Sequence, residues 1–174
     1  MSRVGSYLVA RPSIETGFFR RSVIYIYEDT ERGTAGLALH QPMELGLCDL
    51  AAQIGIAYPR DRNRIYQGGP VNERAVTLLH SPEWRSSNTI PASMLCLSSD
   101  QDMIGRLARG DQPNYFRLCA GASVWAAGQL DFEISKRHWL LGSLSDELVF
   151  TKWGDDLWNT AIESIGRETF AKFI

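Results

Sequence analysis

Two strand-like segments joined by a short polar turn restrict the fold of this chain more than any other feature. The first segment, from Ser22 to Glu28, reads Ser-Val-Ile-Tyr-Ile-Tyr-Glu and is rich in β-branched and aromatic residues. The second segment runs from Thr34 to His40, and the residues between the two, Asp29 to Gly33, have the composition of a turn. The pattern predicts a β-hairpin, with the short connection that is typical of antiparallel sheets.

The rest of the chain alternates strand-like and helix-like segments, without a repeat or a low-complexity stretch. Strands outnumber helices and often follow one another through short turns, which favours one α+β domain over 1–174 rather than a doubly wound parallel sheet. Ser99 and Asp102 resemble a capping box at the start of a helix that ends at Gly110. The further predicted strands are 65–67, 75–80, 94–98, 115–121 and 138–141, and the other predicted helices are 47–54, 125–137 and one that begins near Asp155.

Composition and charge limit the functional classes. The chain has 174 residues, 44% of them hydrophobic, which is enough for one sizeable core. Lys and Arg number 18 against 20 Asp and Glu, so no overall basic field attracts nucleic acid or anionic lipid. We therefore expect neither direct nucleic-acid binding nor membrane association. Because neither a signal peptide nor a long apolar run is present, we expect a soluble, cytoplasmic protein.

The cysteines and histidines do not have the spacing of a metal site. Cys48, Cys96 and Cys119 are widely separated and lie among apolar neighbours, which is typical of reduced thiols in a core. A zinc site would require paired ligands at C-x-x-C or H-x-x-x-H spacing, and the three histidines are isolated. We expect no metal and no other cofactor.

The segment from Val124 to Ile134 contains the first candidate site. Gly128 precedes a helix in which Gln129 and Glu133 lie four residues apart, so their amide and carboxylate share one helical face. These side chains could bind a polar ligand or act on it as acid and base. They could equally satisfy buried backbone groups, because an unpaired group costs about 1 to 3 kcal/mol. Trp125 is a core anchor or the wall of a pocket.

The second candidate element is the run Gly68, Gly69 and Pro70. Its backbone N–H groups could bind an anion, but the lysine and the spacing of a phosphate-binding loop are missing. A tight turn at the end of a strand is the simpler interpretation. His40, before a proline-containing turn, could serve as a general base or simply form a hydrogen bond. No residue has the pattern of a known catalytic group, so we predict no catalytic residues.

These motifs together resemble the YqgE/AlgH family of bacterial proteins. The similar elements are, in order, Gly5-x-Tyr-Leu-Val-Ala-x-Pro12, Phe19-x-x-Ser22-Val23, Gly36-Leu-Ala-Leu39, Gln67-Gly-Gly-Pro-Val71, His80 and Trp125-x-x-Gly-Gln-Leu-x-x-Glu133. The resemblance covers most of the chain. It implies an α+β fold whose mixed or antiparallel strands form a pseudo-barrel flanked by helices, and an uncharacterised cytosolic role. One family member is associated with transcriptional regulation of exopolysaccharide production.

The chain departs from the family pattern in several places. It has His40-Gln41-Pro42 where an Asn and a basic residue are usual, and Gly121-Ala-Ser-Val-Trp125 where Gly-Tyr-Ala-Gly-Trp is usual. It also ends at Ile174 without the typical tail, so it resembles a divergent or phage-borne member.

Two functions remain open. The first is a non-enzymatic regulatory or protein-interaction factor, monomeric or dimeric, in which a surface around Gly68, Gly69, Trp125, Gln129 and Glu133 binds a protein partner. The second is a small-molecule-binding protein or an unrecognised enzyme that uses the same cleft.

Overall fold

The predicted hairpin lies within a curled sheet that forms half a barrel. The computed structural model describes residues 1–60 and 62–172, without the side chain of Phe170. Asp61, Phe173 and Ile174 therefore lie outside the described part of the predicted 1–174 domain. Over the described residues the strands are β1 (Tyr7–Ala10), β2 (Val23–Thr30), β3 (Gly33–Ala38), β4 (Pro42–Gly46), β5 (Arg64–Gln67), β6 (Val71–His80), β7 (Ile90–Ala92), β8 (Leu95–Ser98), β9 (Phe116–Ala126) and β10 (Trp139–Gly142).

Five helices accompany these strands in the described ranges. They are α1 (Leu47–Gln53), α2 (Asp102–Ala108), α3 (Gln129–Ser135), α4 (Asp146–Thr151) and α5 (Gly154–Ala171). None of them is long and apolar enough to cross a membrane. The α+β fold predicted from the sequence is confirmed.

The long strand β9 is the centre of the sheet. The strand order is β10-β1-β2-β3-β9-β6-β8-β7, and all of these neighbours are antiparallel. Strand β5 lies off this path and pairs in parallel with β9, while β4 pairs with β5. The first half of β9 thus has β5 as a neighbour and its second half has β3. Strand β9 therefore changes its neighbour from β5 to β3 along its length.

The two faces of the sheet carry separate apolar clusters. On one face, α5 packs Leu157, Ala161 and Ile165 against residues of β1 and β2, as its i, i+4, i+8 pattern predicts. On the other face, Leu130 of α3 packs with Trp125 and Trp139. A third cluster joins α1 and α2 to β5, β6 and β9. The sheet therefore separates the α5 cluster on one face from the α3 cluster on the other.

Several predicted boundaries were wrong. The capping box is absent: Gln101 is the N-cap residue of α2, and the Ser99 hydroxyl instead accepts a hydrogen bond from Asn88. Trp125, predicted at the start of a helix, lies in β9, where it pairs with Thr34 of β3. Sheet pairing extends β9 through Ala126, and α3 begins only after Gly128, which adopts a φ of 79°. Tertiary hydrogen bonds therefore decided where strand gave way to helix.

Candidate functional site

The predicted Gln129–Glu133 pair is part of a hydrogen-bonded group that we call the Glu133 cluster: Trp125, Gln129, Glu133 and Trp139. One carboxylate oxygen of Glu133 accepts the indole N–H of Trp125 at 3.0 Å and that of Trp139 at 2.8 Å. The other oxygen accepts the Gln129 amide at 3.0 Å. Both carboxylate oxygens are thus engaged by protein donors. This arrangement satisfies two indoles whose rings are nearly fully buried.

The local sequence explains how three elements meet at this cluster. The i, i+4 spacing places Gln129 and Glu133 on one face of α3, as predicted. The side-chain oxygen of Gln129 accepts the backbone N–H of Ala126, so the amide also fixes the turn between β9 and α3. Phe19 packs against both tryptophan rings, with centroids 6.1 Å from Trp125 and 5.7 Å from Trp139. The cluster therefore joins β9, α3 and β10.

Gly68 and Gly69 lie at the point where β9 exchanges β3 for β5. The Gly68 N–H donates to the Ala120 carbonyl at 2.8 Å, and its carbonyl accepts the N–H of Ala38 and the Ser123 hydroxyl. A Cβ atom on Gly68 would lie 2.3 Å from the Gly121 oxygen, and one on Gly69 would lie 2.1 Å from the Ala122 oxygen. This close approach of backbones accounts for both glycines. Pro70, which follows them, is exposed.

His40 lies apart from Glu133, beside the connection between α4 and α5. Its side chain is buried, its Nε2 lies 3.3 Å from the Phe18 carbonyl, and Nδ1 has no hydrogen-bond partner among the described residues. Burial lowers the pKa of His40 to about 4. The Phe18 ring contacts His40, and Phe18 in turn contacts Phe19. Aromatic contacts, rather than a hydrogen bond, thus link His40 to the Glu133 cluster.

His80 and Ser98 are a histidine and a hydroxyl within hydrogen-bonding distance, as in sites of nucleophilic catalysis. The Nε2 of His80 lies 2.7 Å from the Ser98 hydroxyl, and Nδ1 lies 2.8 Å from the Ser81 carbonyl. Both side chains are buried, with relative exposures of 0% and 1%. Because a substrate has no access to this hydroxyl, the pair is suited to holding β6 and β8 together. It is not suited to nucleophilic attack.

A site that the sequence analysis missed surrounds Arg117 in β9. A cavity of about 420 Å³ is lined by Pro42, Asn63, Arg64, Tyr66, Phe116, Arg117, Leu118, Phe150 and Trp153. Arg117 is only 4% exposed, and its guanidinium carbon lies 4.1 Å from the centroid of the Tyr66 ring. One signal was available in the sequence: Arg117 is the only charged residue in the predicted strand 115–121. We call this site the Arg117 cavity.

The structure therefore unites some of the predicted site residues and separates others. Trp125, Gln129 and Glu133 are in direct contact. Gly68 touches the same strand, β9, through Ser123, two residues before Trp125. His40 lies beside the Arg117 cavity instead. Its carbonyl accepts the Gly154 N–H at 2.6 Å, and Arg117 donates to the carbonyl of the preceding residue, Leu39. The described cysteines are free, and burial raises the pKa of Cys119 to about 12.

Comparisons with known proteins converge on one family. The AlgH-like family model, DUF179, matches residues 7–169. A UPF0301 protein of Idiomarina loihiensis is 32% identical over 165 residues, covering 91% of this chain and 89% of the relative. A UPF0301 protein of Alcanivorax borkumensis is 35% identical over 163 residues, covering 91% of this chain and 87% of the relative.

Two solved structures have the same fold. The solution structure of the AlgH protein from Pseudomonas aeruginosa superimposes with a TM-score of 0.79 at 27% identity, covering 94% of this chain and 88% of that one. A crystal structure of a Corynebacterium diphtheriae protein gives a TM-score of 0.75 at 24% identity, covering 94% of this chain and 87% of that one. The curled sheet is therefore a shared architecture.

Proposed function

The chain belongs to the AlgH-like family, and we propose that it is a non-enzymatic regulatory protein of the cytoplasm that acts by binding a protein partner. The edge of β10 that faces away from β1 carries this proposal, because none of the described strands pairs with it and exposed apolar side chains lie beside it. The partner on this proposal contributes an extended segment that pairs with β10 as an additional strand.

The first support comes from the Glu133 cluster. Its carboxylate accepts three side-chain hydrogen bonds, so as folded it is suited to holding α3 and β10 in place rather than to proton transfer. The unit that it holds presents Phe132, 60% exposed, and Leu141, 40% exposed, to solvent. Exposed apolar side chains on a firmly held unit are typical of a contact surface.

The second support comes from the register of β10. This strand ends the sheet order, and it pairs with β1 through Leu8↔Leu141 and Val9↔Leu140. The Arg11 N–H donates to the His138 carbonyl, and antiparallel pairs alternate between bonded and non-bonded. The Leu140 backbone therefore faces β1, whereas the N–H and carbonyl of Leu141 face away from the sheet. They are positioned to bond an added strand.

The two ends of the sheet differ in how they are protected. At the far end, β7 has Pro91 at its centre, and a proline in an edge strand blocks further pairing. No such residue lies in β10, whose sequence is Trp-Leu-Leu-Gly. The four residues of β10 extend only about 13 Å, which is short for the interface of roughly 1,200 Å² or more that a stable dimer requires. A transient partner strand fits this edge better than a second copy.

A regulatory role through a protein partner also agrees with the charge of the chain. The net charge of -2 gives no general attraction to DNA, so an effect on transcription is easier to produce through another protein. One member of the YqgE/AlgH family, which this chain resembles, is associated with transcriptional regulation, and this association agrees with a regulatory role.

The test uses two substitutions at one position. A photo-crosslinking amino acid replaces Phe132, and the protein is expressed in its host either unchanged at position 141 or as Leu141→Ala or Leu141→Pro. Alanine retains the outward N–H, whereas proline removes it and leaves the bonds between β10 and β1 intact. We expect a discrete crosslinked protein in the first two cases and its loss in Leu141→Pro.

Melting temperatures of both variants verify that the fold is retained. An adduct with a second copy of the chain, or a partner that persists in Leu141→Pro, would show that β10 is not the partner site.

A further inference from the structure

Arg117 carries a positive charge in an unusual setting. It occupies the second position of β9, is 4% exposed, and lines the Arg117 cavity. Burial lowers the pKa of its guanidinium, but an arginine stays protonated at neutral pH. A charge removed from water is costly unless an opposite charge and hydrogen bonds compensate it. The energetic cost of burying Arg117 therefore depends on which groups bind its guanidinium.

That compensation is incomplete within the described chain. Arg117 donates to the Leu39 carbonyl at 2.7 Å and to the Lys152 carbonyl at 3.0 Å, and it stacks on the Tyr66 ring. A guanidinium has five N–H donors, so these two bonds leave others available. None of the ion pairs among the described residues includes Arg117, and the ionisable groups that act on it are phenols and a thiol rather than carboxylates. The described part of the chain therefore supplies no anion to Arg117.

The wall of the Arg117 cavity is rich in aromatic side chains, which favour a flat aromatic ligand. Tyr66, Phe116 and Phe150 contribute aromatic rings, and Trp153 lies at the opening with 56% exposure. Arg64 supplies a further positive charge at the rim. A volume of about 420 Å³ lies within the range of small-molecule sites, which combine apolar walls with a few oriented polar groups.

From this combination we propose that the Arg117 cavity binds a small, flat aromatic anion. The carboxylate or phosphate of the ligand accepts hydrogen bonds from the Arg117 guanidinium, whose planar donors suit both groups. The ring of the ligand packs against Tyr66, Phe150 and Trp153. This site is separate from the β10 edge, so the two proposals can fail independently.

The cavity also offers a way to transmit binding. Arg117 joins β9 to the Lys152 carbonyl, which lies in the connection between α4 and α5, while Gly154, the first residue of α5, donates to the His40 carbonyl. A ligand that shares the guanidinium with these carbonyls would tighten the contact between the connection and the end of β3. Binding should therefore stabilise the whole domain.

The experiment is calorimetric titration of the full-length protein with paired probes. Indole-2-carboxylate is compared with neutral indole-2-carboxamide, and adenosine monophosphate with adenosine, while inorganic phosphate tests the anion alone. We expect one anionic probe to bind at least about tenfold more tightly than its neutral partner, as a charge-assisted hydrogen bond implies. The pair that shows the difference identifies a carboxylate or a phosphate as the natural group.

Variants and mapping keep the outcome decisive. Arg117→Met should weaken binding by about tenfold to a hundredfold, and Trp153→Ala should weaken it less. The control is Arg32→Met, which removes an exposed arginine in the turn between β2 and β3 and should leave binding unchanged. Amide chemical-shift changes on the unmodified protein should include 116–118 and 150–153, which tests the site even if Arg117→Met does not fold. Equal binding of charged and neutral probes, or shift changes confined to other regions, would overturn the proposal.

Discussion

The Glu133 cluster and the Arg117 cavity have similar components and opposite electrostatic situations. Each places one charged side chain among aromatic rings beside β9. In the cluster, donors from two tryptophans and a glutamine surround the carboxylate. In the cavity, the guanidinium bonds two neutral carbonyls and has no anionic partner in the described chain. The Glu133 carboxylate thus stabilises the structure as it stands, whereas on our proposal the Arg117 guanidinium is available to bind an anionic ligand.

The difference follows from how buried charges are stabilised. Removing a buried acceptor leaves its donors unpaired, and each unpaired donor costs about 1 to 3 kcal/mol. Replacing a buried charge that has no opposite charge beside it removes a desolvation cost, and this gain offsets the hydrogen bonds that are lost with it. Mutations in the two regions should therefore have unequal effects on stability. Four measurements test this difference.

The largest expected effect concerns His40, which lies between the two regions. Its pKa is about 4 in the folded protein and 6.5 in the unfolded chain, so between these values only the unfolded chain binds the proton. The free energy of unfolding should therefore be undiminished above pH 6.5 and fall by about 3 kcal/mol as the pH drops to 4. Urea denaturation at a series of pH values measures this loss.

Buried His80 also has a lowered pKa, so the contribution of His40 is isolated by a variant. His40→Gln should be less sensitive to pH by about the same 3 kcal/mol over that range. If the two proteins lose stability in parallel, His40 is not the acid-sensitive group, and its burial does not govern this part of the structure.

The next effect tests the Glu133 cluster. Glu133→Ala should lower the free energy of unfolding by about 2 kcal/mol, because the Trp125 and Trp139 indoles lose their acceptor while Glu133 itself is only partly buried. Glu133→Gln retains an acceptor oxygen and should lose less. Denaturant unfolding monitored by tryptophan fluorescence measures both. A stability equal to that of the unmodified protein would show that the carboxylate is not needed as a structural acceptor, and the contrast with Arg117 would be lost.

A smaller effect is expected at Arg117. Arg117→Met should change the free energy of unfolding by no more than about 1 kcal/mol, because the relief of a desolvated charge offsets two lost hydrogen bonds. The same denaturant experiment applies. If this variant were less stable than Glu133→Ala, Arg117 would be a structural clamp for the connection between α4 and α5, and the contrast between the two regions would disappear.

The smallest effect is expected at Gln129, which is exposed. Gln129→Ala removes bonds to the Ala126 N–H and to Glu133, but water can replace both, so the loss should be about 0.5 kcal/mol. Comparison of the double variant with the two single variants measures the coupling of Gln129 to Glu133. Strict additivity would mean that the amide does not orient the carboxylate.

The sequence predicted much of the fold where local patterns are strong. The hairpin of β2 and β3, the strands β5, β8 and β10, and the helices α1 and α5 all lie close to their predicted positions. The strands β1, β4 and β7 and the helix α4 were not predicted. Periodicity is a weak signal in segments of three to six residues, so short strands such as β5 and β8 were predicted while others of similar length were not.

The candidate site was only partly predictable. The contact between Gln129 and Glu133 follows from helical spacing, and the resemblance to a family selected the segment that contains it. Trp139 was missed as a partner of Glu133 because it enters the cluster from a separate strand. Arg117 was missed because its importance depends on its burial and on the lack of a carboxylate near it in the described chain. The order of residues along the chain reveals neither of these.

Local patterns and residue spacing were sufficient to predict the α+β class, the family and the helical pairing of Gln129 with Glu133. Tertiary structure decided that Trp125 belongs to a strand, that Gly68 and Gly69 permit the change of partners along β9, and that His40 lies near Arg117 rather than Glu133. Those outcomes depend on backbones and charges that meet across the sheet. Burial raises the energetic cost of each charge. Aromatic and charged side chains therefore hold the structure together around Glu133, where donors surround the carboxylate, and line a cavity around Arg117, where no described residue supplies an anion.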